Sequence, residues 1–162
     1  HYTRVERGYI RVDADEVTYP LHIILRYEIE KQLFAGQLAP RDLPDAWNEG
    51  MRNLLGLSTD GNLKDGVMQD VHWFGGLFGY FPSYTLGAIT AAQLFATARN
   101  EVAGLSDSIE QGDFAPLVGW LRSKVHGQGR LMNADALVRS VTGQSLGTEA
   151  FKSHLQARYL AG

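Results

Sequence analysis

The stretch Thr18-Tyr19-Pro20-Leu21-His22-Ile23-Ile24-Leu25-Arg26-Tyr27-Glu28-Ile29-Glu30-Lys31-Gln32-Leu33-Phe34 decides the fold class. Leu21, Leu25, Ile29 and Leu33 recur at a spacing of four, which places them in one row of an α-helix. Ile23, Tyr27 and Phe34 form a second apolar row on another side. Arg26 and Glu30 read as a narrow charged strip between the two. A helix with two apolar sides is expected to be buried among several neighbours. Pro20 suits a first helical turn, and the acidic Asp13, Asp15 and Glu16 just before it complement the positive end of the helix dipole. Gly36 is the expected stop.

Working outward, the rest of the chain also reads as helical. Pro40 and Pro44 frame a turn, Asp42 is a candidate cap, and Asp45 to Leu55 forms a helix ending at Gly56. Residues 57–67 are polar and glycine-containing, so they form a loop. Pro82 opens a helix through about Glu101, kept thin by Gly87, Ala88, Ala91, Ala92 and Ala96. Shorter helices are expected around Asp107 to Gln111, over Phe114 to Val125, over Ala134 to Val141 with Asn133 as cap and Gly143 as stop, and from Thr148 to near Tyr159. Before the first helix, Tyr9, Ile10 and Val12 suit a short strand or an extended lead-in. The expected class is therefore all-α, with residues 1–162 forming one helical region.

Composition narrows the function. The chain has 162 residues, 44% of them hydrophobic, which is enough for a globular core. A net charge of −3 without a basic stripe gives no grip for nucleic acid or an anionic membrane. No apolar run is long enough to span a bilayer. The absence of cysteine removes disulfides and thiolate metal sites and fits a reducing compartment. The chain starts His1-Tyr2-Thr3-Arg4, without a methionine, and reads like the middle of something longer.

Gly66-Val67-Met68-Gln69-Asp70-Val71-His72-Trp73, followed by Gly75, Gly76, Gly79, Tyr80 and Tyr84, carries the chemistry. An amide, a carboxylate, an imidazole and two phenols lie among glycines and aromatics rather than helix formers. His72 is a candidate hydrogen-bond donor to an oxyanion, against the alternative of a core histidine bonded to a backbone carbonyl. Tyr84 falls in the first turn of the helix opened by Pro82, where the dipole favours developing negative charge. Tyr80 competes with it for that role, and packing over Gly87 and Ala88 is the alternative for Tyr84. Arg11 offers parallel donors to a carboxylate, against an ion pair with Asp13, Asp15 or Glu16. Gln69 is a candidate for holding substrate backbone or a neighbouring site group, and Asp70 for orienting His72 or Arg11. His22 reads as a satisfied interior histidine, and His1, His126 and His154 as surface or packing residues. Trp73, Phe74, Phe78 and Phe81 read as walls of a cleft or core. The five histidines make no closed metal site, and no His-Glu-x-x-His occurs.

Two segments resemble the thermostable zinc carboxypeptidase family of the carboxypeptidase Taq type. Ile10-Arg11-Val12-Asp13-Ala14-Asp15 is similar to its Ile-Arg-x-x-Ala-Asp motif, and Gly66 to Trp73 to its Gly-x-x-Gln-Asp-x-His-Trp motif. Tyr19 to Glu30 and Phe78 to Gly87 are also similar, in the same order and spacing. The resemblance implies the helical C-terminal part of a larger, zincin-like metallocarboxypeptidase, whose His-Glu-x-x-His helix lies upstream of Arg11. It implies hydrolysis of C-terminal residues from peptides with broad specificity, disfavouring proline. His72 and Tyr84 are then catalytic, and Arg11, Gln69, Asp70 and Tyr80 bind substrate. Zinc or another divalent metal would serve the full-length enzyme, with no ligand from these residues. A cytoplasmic homodimer is also implied, and the chain alone is expected to be inactive. The competing expectation is a non-enzymatic helical module that binds a peptide or partner through the aromatic-glycine groove.

Overall fold

The computed structural model describes residues 3–160, and among these every regular element is helical. Contacts divide the chain into two compact units, His1–Thr85 and Leu86–Gly162. Of the two readings for Tyr9, Ile10 and Val12, the structure has no strand there and instead an extended entry. Ile10 is extended and leads directly into a single 3-10 turn, Arg11–Asp13.

In the first unit, α1 spans Tyr19–Phe34 and α2 spans Leu43–Leu55. The start of α1 is organised by Asp15 rather than by Thr18. The Asp15 carboxylate accepts from the backbone N–H of Val17 and Thr18 (both 2.9 Å), the Thr18 hydroxyl (3.0 Å) and the Glu6 N–H (2.9 Å). Burial alone would raise this carboxyl, but the four hydrogen bonds outweigh it and hold the group below its ordinary range. Asp42 precedes α2 as expected, yet its side chain makes no capping bond. The C-terminus of α2 closes on Gly56 at φ 69°, a left-handed conformation that glycine adopts without a Cβ penalty.

The Leu21, Leu25, Ile29 and Leu33 row does face a neighbour. Leu25 and Ile29 form one core with Trp47, Met51 and Leu55 of α2, and Leu21, Leu33 and Trp73 pack on its edge. The second expected apolar row divides. Ile23 is buried, but Tyr27 and Phe34 are exposed, Phe34 to 72%, while the charged strip is buried: Arg26 is 0% and Glu30 4% exposed. Partners from a distant segment draw these charges inward and leave aromatics outside.

In the second unit, α3 continues from a start in the first. It spans Pro82–Glu101 and is followed by α4 (Leu105–Glu110), α5 (Ala115–Lys124), α6 (Ala134–Thr142) and α7 (Glu149–Tyr159). Ala98, Leu105, Trp120 and Val141 form its core. Asn133 caps α6 by accepting from the Ala136 N–H at 2.9 Å, and Gly143 ends it at φ 76°. Buried Gln93 fastens the loop after α6: its amide donates to the Ser145 carbonyl at 3.1 Å and accepts from the Gly147 N–H at 3.0 Å. Gly87, Ala88, Ala91 and Ala96, expected to admit a close neighbour, are exposed.

Gly50 marks the close approach of α1 and α2, because a Cβ there would overlap Cδ1 of buried Leu25. Gly50→Ala is expected to cost roughly 1–3 kcal/mol through overpacking, although alanine is the better helix former. Denaturant unfolding of the intact protein measures this, and an unchanged midpoint would contradict the packing described.

Candidate functional site

The segment from Gln69 to Phe81 has no regular helix or strand, and hydrogen bonds from elsewhere fix it. Gln69 is the splice. Its Oε1 accepts from the Arg11 backbone N–H and from Arg26 Nη2, both at 2.9 Å. Its Nε2 donates to the carbonyls of Tyr9 (3.0 Å) and Asp65 (2.7 Å). The amide is thus spent on holding the Arg11 turn, α1 and the approach to Asp70 together, which fits a neighbouring support better than a contact to substrate backbone.

Asp70 sits between two guanidinium groups. Its Oδ1 accepts from Arg11 Nε at 3.0 Å and Arg11 Nη2 at 2.8 Å, and its Oδ2 meets Nε and Nη2 of Arg26. Arg11 Nη1 donates to the Tyr19 hydroxyl at 2.8 Å, and Arg26 Nη1 to the His22 carbonyl at 2.8 Å. Arg11 therefore has an ion-pair partner, as the structural alternative anticipated, but the partner is Asp70 rather than Asp13, Asp15 or Glu16.

The electrostatics follow from this sharing. Burial pushes the Asp70 carboxyl up, yet the Arg11 and Arg26 contacts outweigh it and hold it below the ordinary carboxylate range. Burial lowers Arg11, and the hydrogen bonds and charge of Asp70 more than restore it. Arg26 is lowered to about 10 by burial, with Asp70 compensating only in part, and it stays charged at neutral pH. Counted at Asp70 alone, two cations meet one carboxylate and leave one positive charge over. The guanidinium of Arg26 lies 4.5 Å from the Trp47 ring centroid, and that of Arg11 5.2 Å from the Tyr84 ring. Such ring faces stabilise desolvated cations without neutralising them.

His72 and Tyr84 are joined directly, with His72 Nε2 3.0 Å from the Tyr84 hydroxyl. The other ring nitrogen, Nδ1, is buried, makes no hydrogen bond and lies 3.8 Å from Asp70 Oδ1. With the ring proton on Nδ1, the nitrogen facing Asp70, Nε2 would accept from the phenol. The proton held between the two side chains is then the tyrosine's. Phe81 covers the imidazole with ring centroids 4.4 Å apart, and Tyr80 flanks both residues, 5.8 Å from His72 and 5.5 Å from Tyr84. Tyr84 is the third residue of α3, near its positive end. Arg11, Gln69, Asp70, His72, Tyr80 and Tyr84 thus share one cluster in the first unit, with Tyr80 its exposed member.

Three residues near this cluster escaped the sequence reading. Arg26 and Glu30 read only as a narrow charged strip with no site role, and Tyr19 had no assigned role. The i, i+4 spacing of His22, Arg26 and Glu30, which puts all three on one face, was the available signal. His22 also differs from expectation. It is 0% exposed, but neither ring nitrogen has a hydrogen-bond partner. Burial, then the charges of Arg26 and Arg11, lower its pKa to about 4. Phe81 is core, Trp73 is half-buried, and Phe74 and Phe78 are exposed. His126 is exposed, His154 is half-buried, and His1 lies outside the described residues. Among the described residues, no three His, Cys, Asp or Glu side chains converge in a way that suits a metal ion.

The family model described as carboxypeptidase Taq (M32) metallopeptidase matches residues 1–159. Thermostable carboxypeptidase 1 of Thermus thermophilus is 48% identical over 157 residues, covering 97% of this chain and 31% of that protein. Carboxypeptidase 1 of Bacillus subtilis is 42% identical over 152 residues, covering 94% and 30%. Metallocarboxypeptidase 1 of Trypanosoma cruzi superposes with a TM-score of 0.95 at 45% identity, over 98% of this chain and 33% of that one. The M32 carboxypeptidase of Deinococcus radiodurans gives a TM-score of 0.93 at 41% identity, over 98% and 32%. The chain spans about a third of the length of the curated relatives it matches.

His22 generates a pH prediction. Its pKa is about 6.5 when unfolded and about 4 when folded, so between these values the unfolded chain binds more protons. The His22 contribution to stability is therefore expected to fall as pH is lowered from about 6.5 toward 4 and to level off below. His22→Leu should flatten that slope. Denaturation midpoints of the intact protein at pH 7, 6 and 5 check it, and equal slopes for the two proteins would contradict it.

Proposed function

The chain belongs to the carboxypeptidase Taq (M32) metallopeptidase family, and from that premise we propose that it supplies the substrate-carboxylate grip and the oxyanion donor of a metallocarboxypeptidase. The observation that carries this reading is the buried Asp70 shared by Arg11 and Arg26 beside the His72–Tyr84 hydrogen bond. The unbalanced positive charge attracts an anion, and the terminal carboxylate of a peptide is the anion a carboxypeptidase must recognise.

Arg11 is the side chain that meets it. A guanidinium carries five N–H donors, and three point to Asp70 and Tyr19. The remaining two, on a residue that is only 6% exposed, are the donors it has left for an incoming carboxylate. Arg26, fully buried, adds charge without contact. Asp70 and Gln69 hold both arginines in place. At the scissile carbonyl, negative charge develops on oxygen as water adds. The Tyr84 hydroxyl leaves His72 Nε2 and donates to that oxygen, and Tyr80 is the second phenol within reach. His72 keeps the phenol aimed in the free state and stays available to exchange a proton with it. The divalent ion of the family's chemistry, zinc in our reading, would be held by other parts of the longer family chain. Broad acceptance of C-terminal residues, with proline disfavoured, completes the proposal.

Arg11→Ala in the intact protein should lower kcat/KM on an N-blocked dipeptide by about ten- to a hundredfold, the loss expected for a charge-assisted hydrogen bond, mainly through KM. The preference for a free over an amidated C-terminus should shrink with it. Tyr84→Phe should instead lower kcat by roughly a hundredfold or more with little change in KM. Normal turnover by Arg11→Ala, His72→Ala and Tyr84→Phe together would refute the assignment.

A further inference from the structure

Glu30 lies on α1 one turn beyond Arg26 and is 4% exposed. Its Oε1 accepts from Trp73 Nε1 at 2.7 Å, and its Oε2 accepts from the Gly79 backbone N–H at 2.9 Å. One carboxylate thus fastens two points of the same irregular segment. His72 immediately precedes the first point, and Tyr80 immediately follows the second.

Between those points run Phe74, Gly75, Gly76, Leu77 and Phe78, with Gly76 and Gly79 in the left-handed region at φ 72° and 73°. Local turns close part of this path, through Gly75 N–H to the Val71 carbonyl (2.9 Å) and Leu77 N–H to the His72 carbonyl (2.8 Å). Those bonds shape the turn but do not tie it to a helix. Glu30 does, because α1 is anchored in the core by Leu25 and Ile29.

The geometry uses both oxygens of a carboxylate. The two N–H donors come from different directions, and each meets its own oxygen of Glu30. A glutamine would satisfy one and turn its own NH2 toward the other. Burying a carboxylate is an expensive way to gain stability, and fixing geometry is the better-attested use of such groups. The second unit offers a contrast. There Glu101 also accepts from an indole, Trp120 Nε1 at 2.8 Å, but it is solvent-accessible, paired with Lys124, and fastens no loop.

We propose that Glu30 is a positioning residue of the site. It pins the glycine segment at both ends, so that His72 and Tyr80 meet Tyr84 at a fixed distance and angle. This rests on the reading of His72 and Tyr84 given above. The predicted consequence is kinetic: a loosened segment misplaces the His72–Tyr84 donor pair while the Arg11 grip on substrate remains.

The test uses the full-length, metal-loaded protein and an N-blocked dipeptide with a free carboxylate. Glu30→Gln, Trp73→Phe and the double variant are compared by kcat, KM and the indole N–H resonance of Trp73. Glu30→Gln should shift that resonance, lower kcat by roughly ten- to a hundredfold, as a misplacement of about 1 Å does, and leave KM nearly unchanged. In the Trp73→Phe background the same substitution should cost less, because the glutamine oxygen is then free for Gly79. A folded Glu30→Gln with near-normal kcat, or an equal cost in both backgrounds, overturns the proposal. Should Glu30→Gln fail to fold, Trp73→Phe decides: a lower kcat at constant KM supports the pin, and unchanged kcat overturns it. His72→Ala, measured in parallel, separates the two levels. If it keeps full turnover, the site assignment itself falls; if it is impaired while Glu30→Gln is not, only the positioning role falls.

Discussion

The first unit depends on one carboxylate shared by two arginines. Asp70 comes from an irregular segment, Arg11 from the 3-10 turn before α1, and Arg26 from the middle of α1. Each guanidinium would be costly to bury without it, and the carboxylate would be costly to bury without them. Together they join three pieces of chain that share no regular hydrogen-bonded structure. The same arithmetic leaves one positive charge over. An assembly whose only purpose was stability would do as well with matched charges or with apolar side chains. In the proposed reading, the surplus, next to an imidazole and a phenol already in contact, is what would let the cluster recognise an anion.

The helix α1 serves this arrangement on two faces. Leu25 and Ile29 hold it to α2, through a core completed by Trp47 and Met51. Arg26 and Glu30, one turn apart, present a cation and an anion to the segment that carries Gln69 to Phe81. The cation fixes its beginning at Gln69 and Asp70, and the anion fixes its later part at Trp73 and Gly79. A rigid helix thereby lends its order to a glycine-rich stretch with little order of its own.

Local rules made much of the fold legible. Gly56 and Gly143 stop their helices, and Asn133 caps its helix, because each effect depends on neighbours a few residues away. Asp15 likewise organised the start of α1. The burial pattern of α1 did not follow from periodicity. Arg26 and Glu30 bond to residues 43 to 49 positions distant, so nothing nearby in sequence signals that they turn inward. Tyr27 and Phe34 were read as buried for the same reason, since an apolar side chain does not reveal which face its helix presents. The family motifs brought Arg11, Gln69, Asp70, His72 and Tyr84 into view, while their mutual bonds, and the unpartnered ring of His22, needed the structure.

The central claim is that the surplus charge beside Asp70 receives a peptide's terminal carboxylate. A crystal structure of the intact protein with a non-hydrolysable, N-blocked peptide acid addresses it most directly. The account predicts a carboxylate oxygen within hydrogen-bond distance of Arg11, with Arg11 and Arg26 still on Asp70 and the Tyr84 hydroxyl turned from His72 toward the scissile carbonyl. A peptide whose carboxylate is held by other residues, with Arg11 and Tyr84 untouched, would contradict it.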